Sequence, residues 1–429
     1  MIDKLHILYW FLSHRFTRWF HPSGVSRWRK WRWFKNLRKS AYYQSKVQSN
    51  TPFPVIEKKE FMAQFNTINT VGLDREESYR TALTAESTRD FSPEINGVSV
   101  GLSSGTSGVR GLFLTSRRER AIWVGAVLDR VIGWSFKKRS VAFFLRANNN
   151  LYEAVNSKLL AFRFYDLKIR MEDHLPDLEC NKPDILVAQP SVMLELAKAK
   201  LAGQCTIAPS RLISVAEVLE DDYRKTIEAA FGVRVDQVYQ CTEGFLGYTC
   251  TEGRMHLNED WLEIERHFID DEGVRFHPII TDYLRYSQPV VRYELNDILH
   301  LGAACSCGNP STVVDRIEGR SDDIFYLEAI DGQVIRMYPD FIRRAVVTAD
   351  CPPDDFAVYQ VTGNRIELDL RSGDDAVSDE IFDSVHDNLT KLFMDFGLHD
   401  VEIRRTRRFN QTMNKFRRIQ NENHTKHAV

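Results

Sequence analysis

The sequence predicts an α/β protein of two domains, and three observations carry the prediction. Short apolar strands alternate with amphipathic helices up to about residue 320, as expected when helices cover a sheet. A run of hydroxyls and glycines, Ser103 to Gly111, follows one such strand. From Glu328 onward the pattern changes to a smaller α+β unit, which places the joint near Asp322. The expected divisions are a basic, aromatic-rich arm at 1–47, a large domain at 48–321 and a small domain at 322–429.

The elements read in order. Val98 to Leu102 is a strand feeding the Gly/Ser loop, and Ser116 to Trp134 has helical periodicity. Ser140 to Leu145 returns as a strand, and Ile185 to Ala188, apolar throughout, reads as a buried one. Pro190 opens a helix through Lys200, since proline is tolerated in a first helical turn. Leu212 to Glu217 repeats the strand-to-turn pattern, Asp221 to Phe231 is helical, and the β-branched run Val233, Val235, Val238 is a strand. In the small domain, Phe356 to Val361 and Arg365 to Leu370 read as strands before a helix from Val377 to Phe396.

Bulk properties narrow the function classes. The 429 residues are 43% hydrophobic and 27% charged, enough for a large core. A net charge of -2 argues against nucleic-acid affinity. Seven cysteines in a long chain do not form a secreted disulfide framework, so a reducing cytoplasm is expected. The apolar run Ile7 to Leu12 is too short to span a bilayer, and no small-residue cleavage site follows it.

Charge is concentrated at the start. Residues 1–47 hold eleven Lys/Arg against the single acid Asp3, with five of the eight tryptophans. Two readings stand side by side: a helical pair packing its aromatics on the main body, which is the first expectation, and a peripheral arm lying on an anionic membrane or an acidic partner.

Ser103, Ser104, Gly105, Thr106, Ser107 and Gly108 combine close backbone approach with hydroxyl donors, the chemistry a phosphate needs. A plain surface loop has the same composition, so the motifs that follow decide. Tyr239-Gln240-Cys241-Thr242-Glu243-Gly244 sets a Thr-Glu pair at a strand end. Arg292 to Asp297 precedes Gly319-Arg320-Ser321-Asp322-Asp323, and Thr412-Met413-Asn414-Lys415 stands near the C-terminus. From Ser103 to Lys415 this order resembles the adenylate-forming superfamily of acyl-CoA synthetases, peptide-synthetase adenylation domains and luciferases. Ser104 to Gly111 and the Phe53 to Lys58 segment look like its phenylacetate-CoA ligase and coenzyme F synthetase branch, often termed CapK-like.

The resemblance implies a large multi-sheet N-terminal adenylation domain, a small mobile C-terminal domain, and ATP-dependent activation of a carboxylic acid. A carboxylate is a poor electrophile; attack on the α-phosphate of ATP expels pyrophosphate and leaves a reactive acyl-adenylate. By resemblance, Ser103 to Gly108 hold the β- and γ-phosphates with Arg110 adding charge, Thr242 donates to the α-phosphate, and Glu243 helps bind Mg²⁺, which prefers oxygen ligands. Tyr239 stacks on adenine beside Ala216 and Glu217. Asp297 takes the ribose hydroxyls with support from Arg320, although Asn296 stands where other branches have Gly. Asp322 resembles the hinge and Lys415 the mobile lysine bridging carboxylate and α-phosphate.

Cys305-Ser306-Cys307-Gly308 is a knuckle able to place two thiolates on one ion, with Cys250 and His256 upstream and Cys241 a rival ligand. Some members of the branch look alike here and hold a structural Zn²⁺; free thiols are the alternative. The acid pocket is expected between the Pro190 helix, the Ala216-Glu217 turn and the Tyr239 strand. Phe143, Phe144, Phe162, Phe164, Tyr165, Phe245 and Tyr248 suit an aryl or apolar acyl group, whereas Arg146 or Arg163 would suit an anionic one. CoA is the expected acceptor. A carrier protein, an amine, or adenylylation of a cofactor are alternatives, and a nucleotide-binding pseudoenzyme is the non-enzymatic reading. The sequence leaves the oligomeric state open.

Overall fold

The computed structural model describes residues 4–20, 24–49, 51–88, 90–103, 110–133, 137–145, 160–167, 169, 171–372, 378–408 and 417–423. The chain divides into two units, Met1–Leu295 with Leu299–Arg316, and Asn296–Ile298 with Ile317–Val429. Its helices are α1 (Lys4–Phe20), α2 (Arg27–Leu37), α3 (Ala41–Ser49), α4 (Lys58–Ala63), α5 (Phe65–Ile68), α6 (Arg75–Thr88), α7 (Arg117–Val127), α8 (Met171–Asn181), α9 (Pro190–Leu201), α10 (Asp221–Phe231), α11 (Pro339–Val347) and α12 (Asp379–Asp395).

In the first unit β1 (Glu94–Ile95), β2 (Val98–Leu102) and β3 (Leu112–Ser116) form an antiparallel sheet, so the Gly/Ser loop joins a β-hairpin. A larger sheet begins with β4 (Arg139–Leu145), β5 (Leu160–Asp166), β6 (Ile185–Ala188), β7 (Arg211–Ser214) and β8 (Val235–Cys241), all parallel in the order β5-β4-β6-β7-β8. It continues antiparallel through β9 (Gly244–Thr249), β10 (Met255–Leu257), β11 (Leu262–Phe268), β12 (Arg275–Asp282), β13 (Tyr293–Glu294), β14 (Asp297–Leu301) and β15 (Val313–Arg320). Burial explains the split: β6 is buried at all four residues, as a parallel strand covered on both faces must be, whereas β11 buries only Leu262. Helices α9 and α10 pack Met193, Leu196 and Ile227 against Leu186, Leu212 and Val235.

The second unit pairs β16 (Phe325–Glu328) with β17 (Val334–Met337). A separate sheet has the order β20 (Glu402–Arg405), β19 (Arg365–Arg371), β18 (Asp355–Thr362), β21 (Ile419–Asn421). Its core brings Phe325, Ile342, Phe356, Ile366, Leu389 and Phe393 together.

Local chemistry sets the ends. Ser116 and Glu119 form a reciprocal capping box on α7, Ser378 caps α12, and Gly232 ends α10 at φ 69°. The helix expected through Trp134 is shorter: α7 passes into an i→i+5 turn at Leu128–Ile132, and Gly133 at φ 74° terminates it. The arm folds as three helices within the first unit. Trp10, Phe11, Trp33 and Tyr43 are buried as expected, but Trp19, Trp28 and Trp31 stay exposed. Among the described residues no helix is long and apolar enough to cross a membrane.

Candidate active site

The Thr-Glu pair occupies the two-residue turn of the β8-β9 hairpin, between the paired Cys241 and Gly244. Thr242 donates its hydroxyl to Glu243 Oε2 at 2.8 Å, and Tyr293 donates to Oε1 at 3.0 Å. Arg285 fixes the turn from outside, its guanidinium donating to the Thr242 carbonyl at 3.2 Å. A Cβ at Gly244 would lie 3.2 Å from Asp282 Oδ2, so a buried carboxylate stands directly behind the turn. Burial pushes Asp282 up to about 6. The sequence reading gave no role at this turn to Tyr293, Arg285 or Asp282, which lie 40 to 50 positions downstream; Tyr293 falls within the Arg292 to Asp297 motif, while Arg285 and Asp282 belong to none.

Ser104 to Gly108 lie outside the described residues, and their neck is visible. Ser103 N donates to Gly111 O at 2.8 Å, and Gly111 N to Ser103 Oγ at 2.7 Å. Arg110 Nε donates to the Ser103 carbonyl at 3.1 Å, while its other end pairs with Glu86 at 2.5 Å. Lys58 Nζ lies 3.4 Å from Ser103 Oγ, a cation the sequence reading did not place at the loop.

Helix α4 ties turn and neck together. It carries Lys58, while Phe61 packs edge-on against Tyr293 at 5.1 Å and Met62 Sδ accepts from Leu112 N at 3.1 Å. The preceding Ile56 pairs with Tyr293.

The other first-unit residues sort differently. Tyr239 is 6% exposed on β8. Ala216 holds φ 70°, and Glu217 accepts from Ser191 Oγ at 2.8 Å, fixing the start of α9. Of the expected pocket aromatics, Phe144 stacks on Tyr165 at 4.8 Å within the core and Phe143 meets Phe162 at 5.1 Å. Arg163 pairs with Asp177. Arg146 lies outside the described residues.

Cys250, His256, Cys305 and Cys307 converge, their ligand atoms all within 4.8 Å of one another. Cys250 Sγ is 3.7 Å from Cys305 Sγ, and Cys307 Sγ is 3.4 Å from His256 Nε2. A tetrahedral zinc with 2.3 Å sulfur bonds needs ligand separations of about 3.5 to 3.8 Å. His256 Nδ1 meets the Ser311 carbonyl at 3.1 Å; with the proton there, the Nε2 lone pair faces the sulfurs. Burial holds this imidazole below its ordinary range, in the neutral form a metal requires. The donor set therefore fits zinc. Cys241 instead bonds Gly244 O, at 3.8 Å, and is absent from the cluster.

In the second unit Asn296, Arg320 and Asp322 come together, with Asp297 next to Asn296 in sequence at the start of β14. Asn296 Oδ1 accepts from Arg320 Nε at 3.2 Å, its amide donates to Asp322 Oδ2 at 2.5 Å, and Arg320 pairs with Asp322 at 3.1 Å. The asparagine that departs from the resembled pattern thus links two of the expected residues. Asp323 is buried against Arg417, and burial pushes it up to about 6. Lys415, two residues before Arg417, lies outside the described residues.

Comparison with known proteins gives this geometry its context. No family model matches the chain. Solved 2-hydroxyisobutyryl-CoA ligase bound to 2-HIB-AMP in the postadenylation state covers 90% of this chain and 86% of its own, with TM-score 0.65 and 16% identity. The chain has the adenylate-forming superfamily fold. Anthranilate CoA ligase AuaEII bound to anthranoyl-AMP is similar over 74% of this chain and 66% of its own, with TM-score 0.51 and 15% identity. Amide bond synthetase McbA from Marinactinospora thermotolerans is similar over 73% and 65%, with TM-score 0.51 and 15% identity. In sequence, indoleacetate–lysine synthetase of Pseudomonas savastanoi is 29% identical over 136 residues. That match spans 31% of this chain and about a third of the relative, 33%. Adenylate-forming architecture accounts for the parallel strands that deliver the Thr-Glu turn and for the separate C-terminal unit.

Proposed function

We propose that the protein activates a carboxylic acid with ATP as its acyl-adenylate and then passes the acyl group to a thiol, with CoA the first candidate. The observation that carries this reading is the joining of the Glu243 turn and the Ser103 neck through α4 and Tyr293, on a fold shared with adenylate-bound ligases. The carboxylate attacks the α-phosphate, a P–O bond forms, and the bond to the pyrophosphate oxygen breaks. When nucleotide binds, Thr242 turns its hydroxyl away from Glu243 and donates it to the α-phosphate. Glu243, with both oxygens already oriented by hydroxyl donors, presents the hard acceptors that suit Mg²⁺, which when bound offsets phosphate charge. Ser103 to Gly108, Lys58 and Arg110 receive the departing pyrophosphate; Ala216, Glu217 and Tyr239 line the adenine side. Asp297 and Arg320 take the ribose, Asp322 is the hinge, and Lys415 bridges the reacting oxygens. The phenylacetate ligase-like branch remains part of the proposal, supported by the Ser104 to Gly111 motif and by the Cys250-His256-Cys305-Cys307 cluster, which we assign to structural Zn²⁺.

Transfer to an amine is the second reading, and the similarity to a synthetase named for joining indoleacetate and lysine favours it. The test is acid-dependent exchange of labelled pyrophosphate into ATP across a panel of aryl and aliphatic acids, followed by product analysis with CoA or lysine as acceptor. Exchange with at least one acid is expected; nucleotide binding without exchange for any acid overturns the reading in favour of a binding module.

A further inference from the structure

We propose that the outward faces of α1 and α2 dock this protein on an anionic lipid bilayer. Helix α1 is apolar on two opposite sides. Ile7, Trp10, Phe11, His14 and Thr17 are buried, in contact with α7 and its continuing turn. Leu5, Leu8, Tyr9, Leu12, Phe16 and Trp19 are exposed, with Phe16 at 61% and Trp19 at 68%. At about 100° per residue these six span roughly 100°, and their stripe is centred nearly opposite the buried one. Helix α2 repeats the arrangement on a smaller scale: Arg29, Trp33 and Leu37 are buried, while Trp28 and Trp31 are exposed. Buried Arg29 locks the helices together by donating to Thr17 Oγ1 at 2.8 Å. So many large apolar side chains on one helix face exceed the scattered exposure of an ordinary surface.

Charge selects the occupant. No acidic residue occurs between Asp3 and Glu57, whereas Arg15, Arg27, Arg32, Lys35, Arg38 and Lys39 lie on or beside the two faces. The cations stand over the exposed rings, Arg32 above Trp28 at 4.9 Å and Lys35 above Trp31 at 5.8 Å. Tryptophan at the headgroup level with flanking Arg and Lys is the chemistry of an interfacial helix. A second copy would set this cationic strip against its own like in a two-fold contact, at a repulsive cost. An anionic bilayer accepts rings and cations together.

The test is flotation of the full chain with phosphatidylcholine vesicles made with and without phosphatidylserine. Binding is expected only to the anionic vesicles and weakens with salt. Replacing Arg27, Arg32 and Lys35 with Ala lowers affinity about a hundredfold, at roughly fivefold per cation. Phe16→Glu with Trp19→Glu abolishes binding. Because all five residues are partly or fully exposed, thermal unfolding and vesicle-free pyrophosphate exchange stay unchanged, which separates this proposal from the catalytic one. Failure to float with either vesicle overturns it, as does equal binding to both, or a solution dimer that Phe16→Glu dissociates while vesicles are ignored.

Discussion

Glu119 holds the segment behind the Thr-Glu turn, and its removal offers a measurable test of how the site is supported. The carboxylate is 5% exposed and accepts from five donors: the Ser116 amide at 2.8 Å and hydroxyl at 2.5 Å, the Tyr286 amide at 2.8 Å, and the Ser287 amide at 3.0 Å and hydroxyl at 2.5 Å. Glu119→Ala orphans three backbone amides at about 1 to 3 kcal/mol each, a sum of roughly 3 to 9 kcal/mol. The two hydroxyls can rotate and water can enter the space, which brings the expected loss near the low end, about 4 kcal/mol. Glu119→Gln keeps one acceptor oxygen but turns an NH₂ toward donors, for a loss of about 2 kcal/mol. All eight tryptophans precede residue 262 and lie in the first unit, so urea unfolding followed by their fluorescence reads that unit alone. Adenylation should fall with stability, because Arg285 of the same segment holds Thr242. A loss below about 1 kcal/mol for Glu119→Ala would refute the reasoning.

Four further outcomes are expected. Glu243→Gln lowers acid-dependent pyrophosphate exchange by about 10² to 10³ with the fold intact, and Tyr293→Phe lowers it by about tenfold; parallel kinetics and circular dichroism check both. Lys415→Ala cripples adenylation while transfer from preformed adenylate continues, as single-turnover assays of the two half-reactions would reveal. The proposed zinc site predicts about one zinc per chain by metal analysis, and Cys305→Ser should reduce that content and lower the unfolding temperature in thermal scans. Asp282, raised by burial from 3.8 to about 6, binds its proton more tightly when folded. Its stabilising contribution is therefore present below pH 3.8 and lost as pH rises through about 6, by up to about 3 kcal/mol. Asp282→Asn should remove that decline, so stability differences between variant and parent measured at pH 4 and pH 7 must diverge by a comparable amount.

Much of the architecture was legible in the linear pattern because its signals are local. The all-apolar Ile185 to Ala188 and the Pro190 helix start act within a few residues, and each lies in the element it predicted. The continuation of α7 was misread because a helical apolar pattern cannot distinguish an i→i+4 ladder from the i→i+5 turn before Gly133. The Thr-Glu turn was visible as a motif, and so was the segment that carries Tyr293, but their contact was not. Tyr293 and Arg285 reach it only because antiparallel strands return them across the sheet.

By itself the sequence determined the alternation of elements, the order of the nucleotide-type motifs and the supply of four zinc-type ligands, since residue chemistry and spacing are carried along one dimension. Tertiary structure alone decided which side chains meet: that Cys250 and Cys307 share one cluster while Cys241 does not, that α4 joins Lys58 to the loop neck, and that α1 keeps a second apolar face outward. Those outcomes depend on long-range register and packing, and spacing along a chain does not encode distance across a fold.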